Sequence, residues 1–515
     1  MSNDKKPGGK IRQSQVSALN AAVVWASRIL LMIPQLILVP FMISRIGKAG
    51  FGVYALVWSV LVSIDRITMS LQSGVVKYGA GYYARGRLEQ INKLVSTSFV
   101  YSAALAALAC TGTILATFFC RDETGEIIDS LLVIGVSALL IVPIAPYSAV
   151  VHCRQRHYIT AVIETVLRYL GLAAVLVWFV TVEPSIQAVV IIMSLTLLLS
   201  RIAQVPVAHK LVPGLHNRLR LFDLKTFRLM ASFGAVTVFI AVCLSINTAG
   251  IRWLMKSLES ESFVAELAIM LMPCVFLSQI TNAATITVMP ATSAYEALDD
   301  RRKLREFLIR GTRYTTVIVL AAVIVARLLM RDFLRIWVGP EYESLARYAI
   351  LLFVGASLME STSPGHHMLK GLGRLRMAVS IYVIGLVLVP FSVIPVVFVK
   401  WGNPHVAVVS GLVAGYLVCG FLQVLCVVRA VNTNVRSFFM RAYMQPLLVG
   451  VVVLSAVFFP VYYELIQGFM GRIIVSVAAV SALFGSFYVL FASKMEKKQV
   501  KRLVRSVFGS KKKDD

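Results

Sequence analysis

Charge is scarce in this sequence. Of 515 residues only 15% are Asp, Glu, Lys or Arg, while 58% are hydrophobic; soluble domains carry roughly a quarter charged residues. A water-soluble fold of this length could not cover its surface with so few charges. Acids are the rarer sign: 25 Asp and Glu stand against 51 Lys and Arg, a formal net charge of +26. On a soluble chain that excess would point to nucleic acid. Here the basic residues sit between apolar runs, on alternate links, so no nucleic-acid partner is expected and the charge is read as setting membrane topology. No CxxC pair occurs, and the cysteines (Cys110, Cys120, Cys153, Cys243, Cys274, Cys419 and Cys426) are odd in number and mostly lie in apolar runs. That argues against a disulfide framework or a zinc site and for small apolar side chains. A Walker A sequence is missing, which argues against direct ATP hydrolysis. Long extramembrane loops, which membrane glycosyltransferases and polymerases usually need, are missing too. The chain therefore does not read as an enzyme, and no catalytic residue, cofactor or metal-ligand set is assigned. His366-His367, and His152 with His157, come without an acidic cluster and read as interfacial or loop histidines.

What is present is a series of long apolar runs. A bilayer core about 30 Å thick takes roughly 20 helical residues. Runs of that kind fall at 19–43, 51–76, 95–119, 128–150, 158–181, 186–208, 231–254, 264–289, 312–330, 345–364, 376–399, 404–428, 442–463 and 471–492. They predict an all-α integral membrane protein of about fourteen transmembrane helices. The first run is too long for a signal peptide and lacks a small-residue cleavage site, so it reads as a retained helix. Lys and Arg concentrate on alternate links, most densely in Arg301–Arg313 and from Lys494 onward. The other links carry Asp122, Glu123, Glu126, Glu259, Glu261, Glu341 and Glu343. This asymmetry predicts a bacterial inner (plasma) membrane protein with both termini cytoplasmic.

The expected organisation follows. A cytoplasmic segment 1–18 precedes a six-helix bundle over 19–210; a basic linker 211–230 leads to a second six-helix bundle over 231–430; helices 13 and 14 occupy 431–493, and a basic cytoplasmic tail 494–515. A weak internal repeat supports two parallel copies. Tyr83-Ala84, a charged stretch and Ile91, Leu94 and Val95 match Tyr295-Glu296-Ala297, a charged stretch and Leu304, Phe307 and Leu308; Pro146 and Arg156 share the spacing of Pro364 and Arg374. In the linker, Leu215, Leu219, Phe222 and Leu229 alternate with Arg218, Arg220, Lys225 and Arg228. That pattern fits an amphipathic surface helix on anionic lipid, or a solvated segment that only fixes topology. The tail repeats it with Val500, Leu503, Val504, Val507 and Phe508.

Charged side chains at membrane depth are costly and usually face a cavity or a partner. On helix 2, Ser59, Ser63, Arg66, Ser70, Ser73 and Lys77 are spaced by four, three, four, three and four, one continuous polar face. It either lines water or forms a seam against another helix. Helix 1 carries Arg28, with Gln35 two turns on and a kink expected at Pro34; Arg28 can face the lumen, snorkel, or pair with Asp65. Thr237, Ser245, Thr248 and Arg252 share a face of helix 7, where Arg252 is either a lumen cation or an interfacial anchor. Helix 8 offers Ser278, Thr281, Asn282 and Thr285. Together these faces outline a cationic cavity suited to phosphate or diphosphate, which guanidinium groups bind bidentately. The expected lumen residues are Arg28, Arg66, Arg252, Ser63, Ser70, Gln72 and Asn282. Among the acids Asp65, Glu164 and Glu266, Asp65 is the candidate for ion coupling, and Glu164 is read as pairing with Arg168 one turn on.

Several stretches in order resemble Wzx-type polysaccharide flippases of the multidrug/oligosaccharidyl-lipid/polysaccharide exporter superfamily. They are Leu38 to Gly47 (LVPFMISRIG) with Phe51 to Leu56 (FGVYAL), Pro290 to Arg313, Phe333 to Tyr342 (FLRIWVGPEY), and Lys370 to Arg374 (KGLGR). The resemblance covers about residues 15 to 430. It implies two six-helix bundles in a V around a central lumen, alternating access, a lipid-linked sugar as cargo, and lumen arginines that hold the lipid diphosphate. The expected function is therefore translocation of an undecaprenyl-diphosphate-linked oligosaccharide for cell-surface polysaccharide synthesis, such as exopolysaccharide or O-antigen. Membrane lipids, a polysaccharide polymerase and glycosyltransferases would be its partners. An ion-coupled small-molecule or multidrug antiporter, a lipid II flippase and a membrane scaffold are the alternatives.

Overall fold

The structure is a computed structural model that describes residues 23–119, 125–154, 156–285, 288–297, 299–462 and 468–491. The segments 1–18 and 494–515, with the apolar stripe of the tail, and Cys120, Asp122 and Glu123 lie outside them. Among the described residues there is no strand. The reason is physical: inside hydrocarbon a spanning segment must satisfy its own backbone groups, and a helix does so unaided.

Among the described residues twelve helical segments are long and apolar enough to cross a membrane. The first, Val23–Tyr83, is 61 residues long, about three times what one crossing requires. It breaks at Gly47, whose φ of 73° and ψ of 176° are not helical, into α1 (23–46) and α2 (48–83). The others are α3 (Leu88–Phe118), α4 (Gly125–Cys153), α5 (His157–Thr181), α6 (Ile186–Leu211), α7 (Gly234–Leu258), α8 (Glu261–Thr285), α10 (Pro340–Gly371), α11 (Leu375–Trp401), α12 (Pro404–Ala430), α13 (Val435–Ala456) and α14 (Phe469–Phe491). The long helix Arg301–Trp337 is α9. With α1 and α2 counted separately and α9 added, the described residues hold the fourteen expected helices. Large apolar side chains point outward along them, Val180 at 72% and Val399 at 85% exposure, which only a lipid surrounding tolerates. The chain is a multi-pass membrane protein.

Within the first six helices α3 packs on α4, and α6 on both α4 and α5; in the later group α12 packs on α10 and α11. α1 and α2, which double back on each other at Gly47, join the two groups by packing along α7 and α8. α13 and α14 lie against α9 in a separate apolar cluster built on Val317, Ile324, Val449 and Leu483, tied by an Arg472–Asp332 ion pair at 2.8 Å.

Local chemistry sets the ends. Gly402 closes α11 in the left-handed conformation (φ 62°), Asn403 caps α12 by accepting from the Val406 N–H at 3.1 Å, and Pro404 fills the first helical position, the order that helix termini favour. Gly339, at φ 126°, and Pro340 separate α9 from α10 without a side-chain cap. The linker is not one surface helix. It contains Gly214 at φ 83° and a 3-10 turn at Leu219–Leu221, and a helix resumes at Leu224. Side chains of α3 capture its backbone: Asn92 donates to the Gly214 carbonyl, Ser96 accepts from the Arg218 N–H and Thr97 from the Asp223 N–H. Asp223 caps the new helix, and hydrogen bonds from Thr226 hold its carboxyl below the usual range.

Two prolines in α1 shape its contacts. Proline lacks an N–H, so the carbonyl four residues earlier loses its helical donor. Pro34 frees the Leu30 carbonyl, which accepts from the Tyr169 hydroxyl of α5 at 2.9 Å. Pro40 frees the Leu36 carbonyl, which accepts from the indole N–H of Trp337 on α9 at 2.7 Å. Both prolines turn a missing rung into a tertiary contact. Trp337→Phe keeps an aromatic ring but leaves the Leu36 carbonyl without its donor, and is expected to cost about 1–3 kcal/mol in thermal unfolding of the purified protein. Tyr169→Phe, at a more exposed contact, should cost less.

Candidate functional site

The polar face of α2 turns out to serve two purposes. Its serines bond first to their own helix: Ser63 donates to the Ser59 carbonyl at 2.8 Å, Ser70 to Arg66 at 2.9 Å and Ser73 to Ser70 at 2.6 Å. Near Ser70 and Ser73 the face is sealed against α7. Thr237 donates to the Ser70 carbonyl at 3.1 Å, and its hydroxyl lies 3.2 Å from that of Ser73. This is the polar seam by which transmembrane helices associate. Farther along, Arg66 reaches the Thr248 hydroxyl at 3.3 Å and borders a cavity of about 440 Å³.

The cavity wall is built mainly from the later helices. α7 contributes Asn247, Thr248 and Arg252, α8 Ser278, Gln279 and Asn282, and α10 Glu360, His366, His367 and Lys370; Tyr382, Tyr416 and Gln423 come from α11 and α12. Two π-helical turns border it, Ile246–Gly250 in α7 and Val383–Leu388 in α11. Such turns insert one extra residue and leave a carbonyl short of a partner; Asn247 donates to the Leu386 carbonyl at 3.0 Å. α10 is interrupted between Ala346–Ser361 and Ser363–Gly371, where Pro364 opens the second piece. The interruption gathers polar groups at the wall. Glu360 accepts from the Ser278 hydroxyl and, at 2.5 Å, from Thr281, while Thr362 bonds Gln423 at 2.7 Å. His366, expected in a loop, is buried with its Nδ1 3.2 Å from the Tyr382 hydroxyl.

Three cations face this space. Arg252 donates to the Ala55 carbonyl at 2.9 Å, and its buried Nε has no partner. Among the described residues no carboxylate lies within ion-pair distance of Arg66, Arg252 or Lys370. No group of three or more His, Cys, Asp or Glu among them is arranged to hold a metal.

Of the residues expected in a lumen, Arg66, Arg252 and Asn282 share this wall. Arg28 is exposed on α1 and does not belong to it; Ser63 and Ser70 are bound as described. Gln72 is 2% exposed, with its amide donating to Ser102 at 3.0 Å and accepting from Ser98 at 2.9 Å. That residue ties α2 to α3 and presents nothing to the cavity. Asp65 turns away from Arg66 toward Arg201 of α6, at 2.7 Å. Glu164 lies 4.0 Å from the same guanidinium and not on Arg168, which sits over the Trp58 ring at 5.9 Å. Arg201 is 3% exposed and also donates to Ser148 at 3.3 Å. It is thus the buried centre of an ion triad, and Asp65, the candidate for ion coupling, is paired with it and not with Arg28. Sequence reading missed Arg201, Glu360 and Lys370. The available signal was an ionisable residue inside an apolar run, as at Arg201, or a spanning run less apolar than the others, as in α10.

Comparison with known proteins gives the fold its class. No family model matches the chain. A curated relative, an uncharacterized membrane protein EpsK of Bacillus subtilis (strain 168), is 21% identical over 331 residues, 62% of this chain and 64% of that protein. A structure described as the lipid II flippase MurJ in an inward closed conformation superposes with a TM-score of 0.65 at 12% identity, covering 92% of this chain and 99% of the other. An inward-facing multidrug resistance transporter of the MATE family in the MOP superfamily gives 0.63 at 16% identity, covering 80% and 98%. The chain has the fold these transporters share.

Removing the centre of the triad should be costly. Arg201→Gln leaves two acids without their cation and is expected to lower stability by about 3–5 kcal/mol, read as thermal unfolding. Asp65→Asn should cost less, because Glu164 remains to balance Arg201.

Proposed function

We propose that this chain is a flippase that carries a lipid-linked, diphosphate-bearing oligosaccharide across the bacterial inner membrane for cell-surface polysaccharide synthesis. The observation that carries the reading is the cavity wall with Arg66, Arg252 and Lys370 and no carboxylate paired to them. Cations held at membrane depth without a counter-ion call for an anionic guest, and guanidinium groups grip phosphate oxygens bidentately. Asn282, Ser278 and Gln279 supply neutral donors and acceptors for sugar hydroxyls on the same wall. The prenyl tail stays in lipid while the headgroup occupies the cavity, and rocking of one helix group against the other re-exposes it on the far side. The product then passes to a polymerase and glycosyltransferases. Clustering of Lys and Arg on alternate links supports cytoplasmic termini. For ion coupling, Glu360 replaces Asp65 as the candidate, since its neighbours are hydroxyls and not a guanidinium. A cationic wall disfavours cationic drugs, which speaks against a multidrug exporter. The superposition on the lipid II flippase over nearly the whole chain favours lipid II as the second reading.

The test is headgroup translocation in proteoliposomes with an undecaprenyl-diphosphate oligosaccharide. Arg66→Gln, Arg252→Gln and Lys370→Gln should each slow it roughly 10- to 100-fold, the loss of one charge-assisted contact, with protein level unchanged; Arg252→Gln, which also removes the donor to the Ala55 carbonyl, should lower thermal stability as well. Full activity in the Arg66→Gln/Arg252→Gln double variant would refute the anion-holding role. Faster transport of lipid II than of the longer glycan would select the second reading.

A further inference from the structure

Beyond Arg252, at the Gly47 junction where α1 becomes α2, four contacts among the described residues join the early helices to the later ones. The first is the Trp337 bond to the carbonyl released by Pro40. The second is backbone against backbone: a Cβ on Gly52 would lie 1.8 Å from the Glu261 carbonyl oxygen, so α2 and α8 meet where only glycine fits. Arg252 supplies the third through Ala55.

The fourth is ionic and centres on Glu266 of α8. Lys48, the residue after the Gly47 break, pairs with one carboxylate oxygen. His405 Nε2 lies 2.5 Å from the other. A neutral ring with its proton on Nε2 and an imidazolium both donate there. The Gly402-Asn403-Pro404 turn delivers His405 to this place. Its ring is stacked on Tyr348 with centroids 4.9 Å apart and meets the edge of Phe263 at the same distance. Lys48 also lies 5.8 Å from the centre of the Tyr342 ring. The side chains of Lys48, Glu266 and His405 are 38%, 17% and 23% exposed, sheltered enough for the charge pair to outweigh an ordinary surface bridge.

We propose that Lys48, Glu266 and His405 form a latch that holds this end of the molecule closed beyond the cavity. His405 and its aromatic neighbours fix Glu266 on the later helices, and Lys48 is the part that lets go. Release needs no helix to unfold, because Gly47 already provides a backbone joint beside Lys48. The inference concerns which conformation the chain holds and is independent of the cargo.

The test is hydrogen exchange by mass spectrometry on the full chain in lipid nanodiscs, without cargo. Glu266→Gln and Lys48→Gln should each speed exchange about tenfold in segments 45–53 and 258–264, leaving α13 and α14 as in the wild type. Lys48→Arg should stay protected. Because both changes break one shared contact, the double variant should open no further than either single change. Unchanged protection in both single variants, or additive effects in the double variant, would overturn the latch. If Glu266→Gln loses protection along every helix, Lys48→Gln decides, since its more exposed side chain makes it the milder change. Translocation is not the readout, so the outcome stands apart from that of the flippase reading.

Discussion

A charge carried into a bilayer must find an opposite charge, a dipole or water, and the way each one is met divides this molecule into working parts. Arg201 is given two acids and becomes a fixed internal strut. Arg472 is given Asp332 and anchors α14 to α9. Lys48 is given Glu266 across the boundary between helix groups. Arg66 and Arg252 receive only a hydroxyl and a backbone carbonyl. The first two charges are paired within one helix group or its neighbour, the third is paired only while the groups stay together, and the last leaves positive potential directed into open space.

The same accounting applies to the backbone. A helix in hydrocarbon satisfies itself except where proline, a π-helical turn or an interruption leaves a carbonyl over. Three such places have been given a partner from another helix: Tyr169 at Leu30, Trp337 at Leu36, Asn247 at Leu386. Departures from regular helix therefore mark where helices recognise one another. Much of the specificity of packing is polar, although most of the buried area is apolar.

Hydrophobic run length made the helices legible in sequence, because span length is fixed by the bilayer and needs no knowledge of neighbours. End signals such as Gly402-Asn403-Pro404 are legible for the same local reason. The cavity was legible only in part. Arg66, Arg252 and Asn282 lie on faces that helical spacing reveals. Gln72 lies two residues after Ser70 and within two turns of Arg66, yet it points at Ser98 and Ser102 of another helix, a contact that spacing cannot show. Glu360 and its hydroxyl partners are about eighty residues apart, and Asp65 and Arg201 are 136 apart. Who meets whom at such separations is decided by tertiary packing. Motifs that carried the family resemblance, around Pro40 and Trp337, proved to sit at the junction of the helix groups and not in the cavity wall.

The π-helical turn at Ile246–Gly250 lies just before Arg252. One residue of an α-helix corresponds to about 100° of rotation about its axis. Were that turn to tighten into ordinary α geometry, everything after it in α7 would swing around by that amount. The guanidinium would then leave the cavity for another side of the helix without the axis having tilted. A single surplus residue in one turn thus gives the molecule a way to turn its charge as a key turns in a lock, a twist in place of a swing.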